Sequence, residues 1–365
     1  MRWLNLARTR FSSRLENESG VTIIFIAVVL LGLLAMTAFV VDFGRVWQER
    51  RELQTGATAA AFAVGEDCAR DLCGGGYDPD AVADLYADLN ATDGAAAIHE
   101  NVALDLDAQT VEVVTKTEEP DGGNSMDMLF ARIVGFDTIT VGAGATVAWG
   151  TPLTSSTVPL IISDCEWERF DPVLYPGWPG GDPDNLPDYD PNLLLANYPL
   201  TTMVTLIFHN TSGAEECNAF PGHDSDGDTT LPGGFGWLET SGGCSVTVTE
   251  DDWVNEKRGV AQPACSSSDF EAIVLDAGPI FLPYYSDFDE GRAERYEVSG
   301  VTGFVAAGYS FTPPYREYRS PLMAAPCSVP THCLAGWFVN YVDNGGTGGP
   351  LGGDDRGFTV IQLIG

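Results

Sequence analysis

Residues 21–41 read VTIIFIAVVLLGLLAMTAFVV, a run without a charge, and residues 42–51 continue as DFGRVWQERR. At about 1.5 Å per residue, a helix over Val21–Val41 covers roughly 31 Å, the hydrocarbon thickness of a bilayer. The run is read as one membrane-spanning helix. A cleaved secretory signal has an apolar core of only about 7 to 15 residues and a small-residue cleavage site. This run is longer and ends Val40-Val41-Asp42 without such a site, so it is retained as an anchor.

The 365 residues carry a formal charge of −34, enough chain for an anchor plus one large domain or two ordinary ones. Residues 1–20 hold four Arg and two Glu, which leaves the remainder at −36. A surface that acidic repels phosphate backbones and excludes nucleic acid as a partner. Its simplest use is solubility and self-repulsion outside the cell. Arg2, Arg8, Arg10 and Arg14 precede the run and Arg45, Arg50 and Arg51 follow it, a small positive-inside bias toward a cytoplasmic N-terminus.

All eight cysteines, Cys68, Cys73, Cys165, Cys217, Cys244, Cys265, Cys327 and Cys333, lie after the apolar run. An even number on one side of a membrane is the mark of an oxidising compartment. No Cys-x-x-Cys pair occurs, and there are four His, which disfavours structural zinc or a redox dithiol. Short loops are expected from Cys68 with Cys73 and from Cys327 with Cys333. The middle four allow three connectivities, which the sequence leaves open.

Beyond the span, Phe43, Val46, Trp47, Leu53, Ala57, Ala60, Ala61 and Val64 recur at helical spacing. The periodicity predicts one helix running on as an amphipathic stalk over residues 42–65. Gly56 with Ala60, and Ala57 with Ala61, form a low ridge of small residues four apart. Either another helix packs closely on that ridge, or the ridge packs on the chain's own domain.

Two resemblances attach to these residues. Gly20 closing a basic leader before Val21-Thr22-Ile23-Ile24-Phe25 resembles the start of a type IV prepilin, although Phe25 stands where that family has Glu. More specifically, residues 20–64 resemble the N-terminal region of TadE/TadG-like proteins of the tight-adherence (Flp) pilus system. Gly20, Asp42, Gly44, Arg45, Leu53, Gln54, Ala57, Ala60 and Ala61 carry the likeness; Thr58 departs from it, standing where the family commonly has Asp. The resemblance implies a single-pass protein of the bacterial cell membrane. Its implied partners are pilus-assembly proteins and pilin subunits.

The fold class read from the rest is α+β. Residues 66–150 form a small α+β unit: an amphipathic helix over Asp80–Asn90, a hairpin of Asn101–Leu106 with Thr110–Lys116, a short helix over Met126–Val134 and a strand over Thr138–Trp149. Residues 151–157, TPLTSST, read as a linker. From 158 to 365, islands at Val158–Ile162, Met203–Phe208, Ala272–Leu275, Ile280–Tyr285, Tyr296–Phe311, Trp337–Val342 and Phe358–Ile364 predict a mainly β, disulfide-bonded ectodomain.

Candidate chemistry is thin. Asp224, Asp226 and Asp228 alternate in a turn and could converge on Ca²⁺, although Thr229 and Phe235 stand where an EF-hand loop needs Gly and Glu. The competing reading is a solvated turn whose Asp side chains bond their own backbone. Asp287, Asp289 and Glu290 form a second acidic cluster; no Gly-x-Ser-x-Gly, His-Glu-x-x-His or phosphate-binding glycine loop accompanies either. His99, His209, His223 and His332 read as surface or hydrogen-bonded residues. Trp167, Phe170, Tyr175 and Trp178 are either an exposed ligand platform or a buried stitch. The expectation is a non-enzymatic pilus-assembly scaffold or minor pilin-like protein with no cofactor; the alternative is an anchored ectodomain that binds or hydrolyses an extracellular ligand.

Overall fold

The computed structural model describes the chain outside residues 1–3, 93, 95, 99–100, 120–121, 169–185, 190–204, 209–216, 219–229, 232, 241, 258–264, 277, 290–293, 312–315, 319–331 and 346–348. Its first element is one continuous helix, α1, Leu4–Ala69. One part of it, within Thr22–Ala69, is long and apolar enough to cross a membrane, and that window is wholly unburied. No Pro or helix-breaking pair interrupts the passage from span to stalk, so the ladder of i to i−4 hydrogen bonds carries through.

A second helix, α2, Pro79–Asn90, lies against the stalk. Its start follows from local chemistry: Asp78 caps it by accepting from the Ala81 N–H, and Pro79 sits in the first turn where no donor is needed. Stalk and α2 cover a six-stranded sheet whose order is Ala96–Ile98, Thr110–Thr117, Gly142–Gly150, Phe358–Leu363, Tyr341–Asp343, with Ala103–Asp105 also paired to Thr110–Thr117. The expected hairpin is present, with register Ala103 to Glu112 and Asp105 to Thr110.

The second sheet has eight strands. Its spine is Ile280–Asp289 against Arg295–Ser310, flanked by Leu160–Ser163 with Phe235–Trp237 on one side and by Cys333–Val339 with Thr205–Phe208 on the other. Aromatic side chains fill its core: Trp237 meets Phe270 and Phe311 at centroid distances of 5.6 and 5.1 Å, and Trp167 packs edge-on to Phe338 at 5.0 Å. Trp167 is therefore a buried stitch; Phe170, Tyr175 and Trp178 lie outside the described residues. The architecture is α+β: a long N-terminal apolar helix, then mostly sheet, with disulfides at Cys68–Cys73 and Cys244–Cys265. Cys333 is also disulfide-bonded, and Cys327 lies outside the described residues.

Several local expectations are corrected. Residues 126–134 hold a two-residue strand, Met126–Asp127, paired with Thr138–Ile139, and only a 3₁₀ turn at Ala131–Val134. Ala272–Asp276 is a π-helical turn continuing the helix Ser267–Glu271, not a strand; the apolar run is too short for periodicity to separate the two. Thr154–Thr157, read as linker, pairs with Val246–Thr249. Finally, Phe358–Leu363 leaves the second sheet's sequence neighbourhood and pairs with Gly142–Gly150 of the first.

Candidate functional site

The residues with a shared pattern and a shared place are those of the stalk. Leu53, Gly56, Ala57, Ala60, Ala61 and Val64 all point off one side of α1 and are buried. Their neighbours are the chain's own: Ala57, Ala60, Ala61 and Val64 join Val111, Val113, Ala145, Val147 and Trp149 of the first sheet in one cluster with Ala83 of α2. A Cβ on Gly56 would come within 3.3 Å of the Ala87 carbonyl oxygen and 3.4 Å of its Cα. The small-residue ridge is thus closed by α2 and by the sheet, both supplied in cis. Small side chains let helix and sheet approach closely, which explains why alanine and glycine recur here.

Polar side chains fix the register of that joint. Gln54 Nε2 donates to the Gly144 carbonyl at 2.8 Å, across 90 residues of chain. Buried Thr115 Oγ1 donates to the Leu53 carbonyl at 3.0 Å. Along α2, Asp80, Asp84 and Asp88 accept from the backbone N–H groups of Val102, Ile98 and Ala96, satisfying the unpaired edge of the sheet. Partial burial, helped by Asp88, Asp80 and Asp78, raises the Asp84 carboxyl above its usual value, against the lowering effect of the Ile98 N–H.

At the end of the span a second joint forms. Asp42 is 4% exposed and accepts three backbone bonds, from Leu129 at 3.0 Å, Phe130 at 2.9 Å and Ala131 at 2.6 Å. These are orphan donors at the start of the 3₁₀ turn Ala131–Val134, and a carboxylate is a strong acceptor for them. One turn along α1, Arg45 Nη1 donates to the Asp127 carbonyl at 2.7 Å. Burial works to raise the Asp42 pKa, but the Ala131, Phe130 and Leu129 N–H groups and the Arg45 charge outweigh it and hold the carboxyl below its usual range. Asp42 and Arg45 together clasp residues 127–131 to the helix just past Val41.

A family model described as putative Flp pilus-assembly TadE/G-like (Tad) matches residues 20–70. The chain carries a Tad region. No curated protein and no solved structure matches it. The matched residues contain the apolar part of α1, the stretch long and apolar enough to cross a membrane. Within the Tad region, Asp42, Arg45, Leu53, Gln54, Ala57, Ala60 and Ala61 all serve the attachment of the later, mostly β part of the chain to the helix. Gly44 does not: a Cβ there would meet nothing within 4 Å, so no contact within the chain requires glycine. Gly20 lies inside α1.

The other candidates do not assemble into a site among the described residues. Asp287 accepts from its neighbour Phe288 N–H at 2.7 Å, and Asp289 pairs with Arg295 at 2.7 Å; Glu290 lies outside the described residues. Asp224, Asp226 and Asp228 lie outside them as well, as do His99, His209 and His223. The element that sequence reasoning missed is the clasp. Its signal was present as Asp42 and Arg45 three apart, but their partners sit 82 to 89 positions away and are backbone groups, which leave no trace in side-chain chemistry.

Proposed function

We propose that this chain is a non-enzymatic scaffold or minor pilin-like component of Tad (Flp) pilus assembly in a bacterial cell membrane, crossing once with its N-terminus in the cytoplasm and its disulfide-bonded ectodomain outside. The observation that carries the reading is the use made of the Tad region: its signature residues join span, stalk and sheet into one unit. Such a unit transmits position from the membrane to the ectodomain, which suits guiding or stabilising pilus subunits. The positive-inside bias and the placement of every cysteine beyond the span support the orientation. Partners are the membrane, pilus-assembly proteins and pilin subunits.

The test is photo-cross-linking from exposed stalk positions Thr55 and Gln48 in intact cells, followed by identification of the captured proteins, together with deletion of the gene. Capture of pilus-assembly proteins or pilin and loss of piliation are the expected results. Unchanged piliation and adherence after deletion would overturn the assembly role.

A further inference from the structure

Five of the twelve exposed large apolar residues described beyond Trp47 fall within residues 129–139: Leu129, Phe130, Ile133, Phe136 and Ile139. Ile133 is 79% and Phe136 69% exposed, values close to those of the span's own Phe39 and Met36. Soluble surfaces scatter such residues singly; a cluster marks a surface that meets something apolar. The clasp fixes where this cluster lies. Asp42 follows Val41 directly, so its three bonds to Leu129, Phe130 and Ala131 hold the turn at the level where the apolar run ends.

Much of the turn's backbone is also hydrogen-bonded. Met128 N–H donates to the Asp137 carbonyl, Ile133 N–H to Phe130, Gly135 N–H to Arg132 and Phe136 N–H to Ala131, while the leading donors go to Asp42. Backbone satisfied within the segment is the condition for entering a low-dielectric layer. Arg132 of the turn is exposed, and on α1 within ten residues of Val41 lie Trp47, 59% exposed with Arg51 5.8 Å from its ring centre, and exposed Arg50, the aromatic and cationic types that suit a headgroup layer.

We propose that residues 129–139 form a shallow second membrane anchor, with Leu129, Phe130, Ile133 and Phe136 seated at the acyl–headgroup boundary of the leaflet in which Val41 ends. This rests on reading Val21–Val41 as the span. The occupant of the patch is lipid because the patch is continuous in height with the apolar run and is tied to its last turn. The consequence is mechanical: span and turn give two attachments on one bilayer surface, which fixes the tilt and rotation of the ectodomain.

The experiment uses the full chain, disulfides intact, in vesicles of phosphatidylcholine with phosphatidylglycerol, and nitroxide labels on Ile133→Cys, Phe136→Cys, Leu30→Cys and Leu106→Cys. Collision with oxygen and with a water-soluble nickel chelate reports depth. The expected result is several-fold lower nickel accessibility at 133 and 136 than at 106, with oxygen accessibility kept high. Nickel accessibility at 133 and 136 equal to that at 106, with 30 shielded, overturns the second anchor and leaves the span standing. Low collision with both reagents at 133 and 136 indicates a protein cover and overturns it too. A label at 30 open to nickel overturns the span and the second anchor together.

Discussion

Asp42 shows how one carboxylate can hold a distant turn against the end of an apolar helical run. Three N–H donors from residues 129–131 converge on it, and Arg45 completes the clasp one helical turn further on. Asp42→Ala leaves those donors without an acceptor; amide exchange at Leu129, Phe130 and Ala131 is expected to accelerate while exchange in the Thr110–Thr117 strand stays unchanged. Because the folded pKa of Asp42 lies below its unfolded value, the stabilisation is fully present above the unfolded pKa of about 3.9 and is lost as pH falls through the folded one. Amide protection of residues 129–131 should therefore persist at pH about 5 and decay below about 4, and in Asp42→Ala it should show no such step.

At the scale of elements, the stalk is one helix whose inner side is made of small residues and whose cover is α2 plus a sheet. Gly56 sits where α2 comes closest, so Gly56→Leu forces the two helices apart. A loss of about 1–3 kcal/mol is expected, read by denaturant unfolding, with the Cys68–Cys73 link intact. The acidic row on α2 predicts the opposite sign. Asp84 has a folded carboxyl pKa raised above its usual value, so it favours folding below the unfolded pKa and that contribution is lost as pH rises through the folded one. Asp84→Asn keeps an acceptor for Ile98 N–H and removes repulsion from Asp80 and Asp88. Its Tm should exceed wild type at neutral pH, with the difference vanishing in acid. Helix α2 was legible from Pro79 and the spacing of Val82, Leu85, Tyr86 and Leu89, yet Leu85, Tyr86 and Leu89 are exposed and the buried contacts are Ala83 and Ala87. Alanine carries too little hydropathy to reveal a face, although it is what a close helix contact needs.

Across the whole molecule the decisive element is the last strand. Residues 358–362 are buried on both faces: Ile361 joins the stalk core, while Phe358 and Val360 join a cluster with Tyr285, Tyr296, Val298 and Val301 of the second sheet. Ile361→Ala should cost about 2–5 kcal/mol and loosen the stalk, seen as faster proteolysis between α1 and the first sheet. Removing Cys244–Cys265, which closes a separation of 21 residues, is expected to cost about 3 kcal/mol, against about 2 kcal/mol for Cys68–Cys73 with its separation of 5; thermal unfolding of the paired Cys→Ser variants compares them. The strands themselves were readable from β-branched and aromatic runs, and the disulfide at Cys68 from its short spacing. Pairing of Gly142–Gly150 with residues more than two hundred positions on was not, because alternation specifies that a strand has a buried face and not which strand lies beside it. The sequence by itself determined the apolar span, its continuation as a stalk and the Tad likeness, since each follows from composition and helical spacing within one segment. Only the tertiary structure decided that Asp42 clasps residues 129–131, that the alanine ridge is covered in cis, and that the C-terminal strand seams the two sheets. Those depend on backbone donors and apolar faces brought together over long separations, where local propensity holds no information.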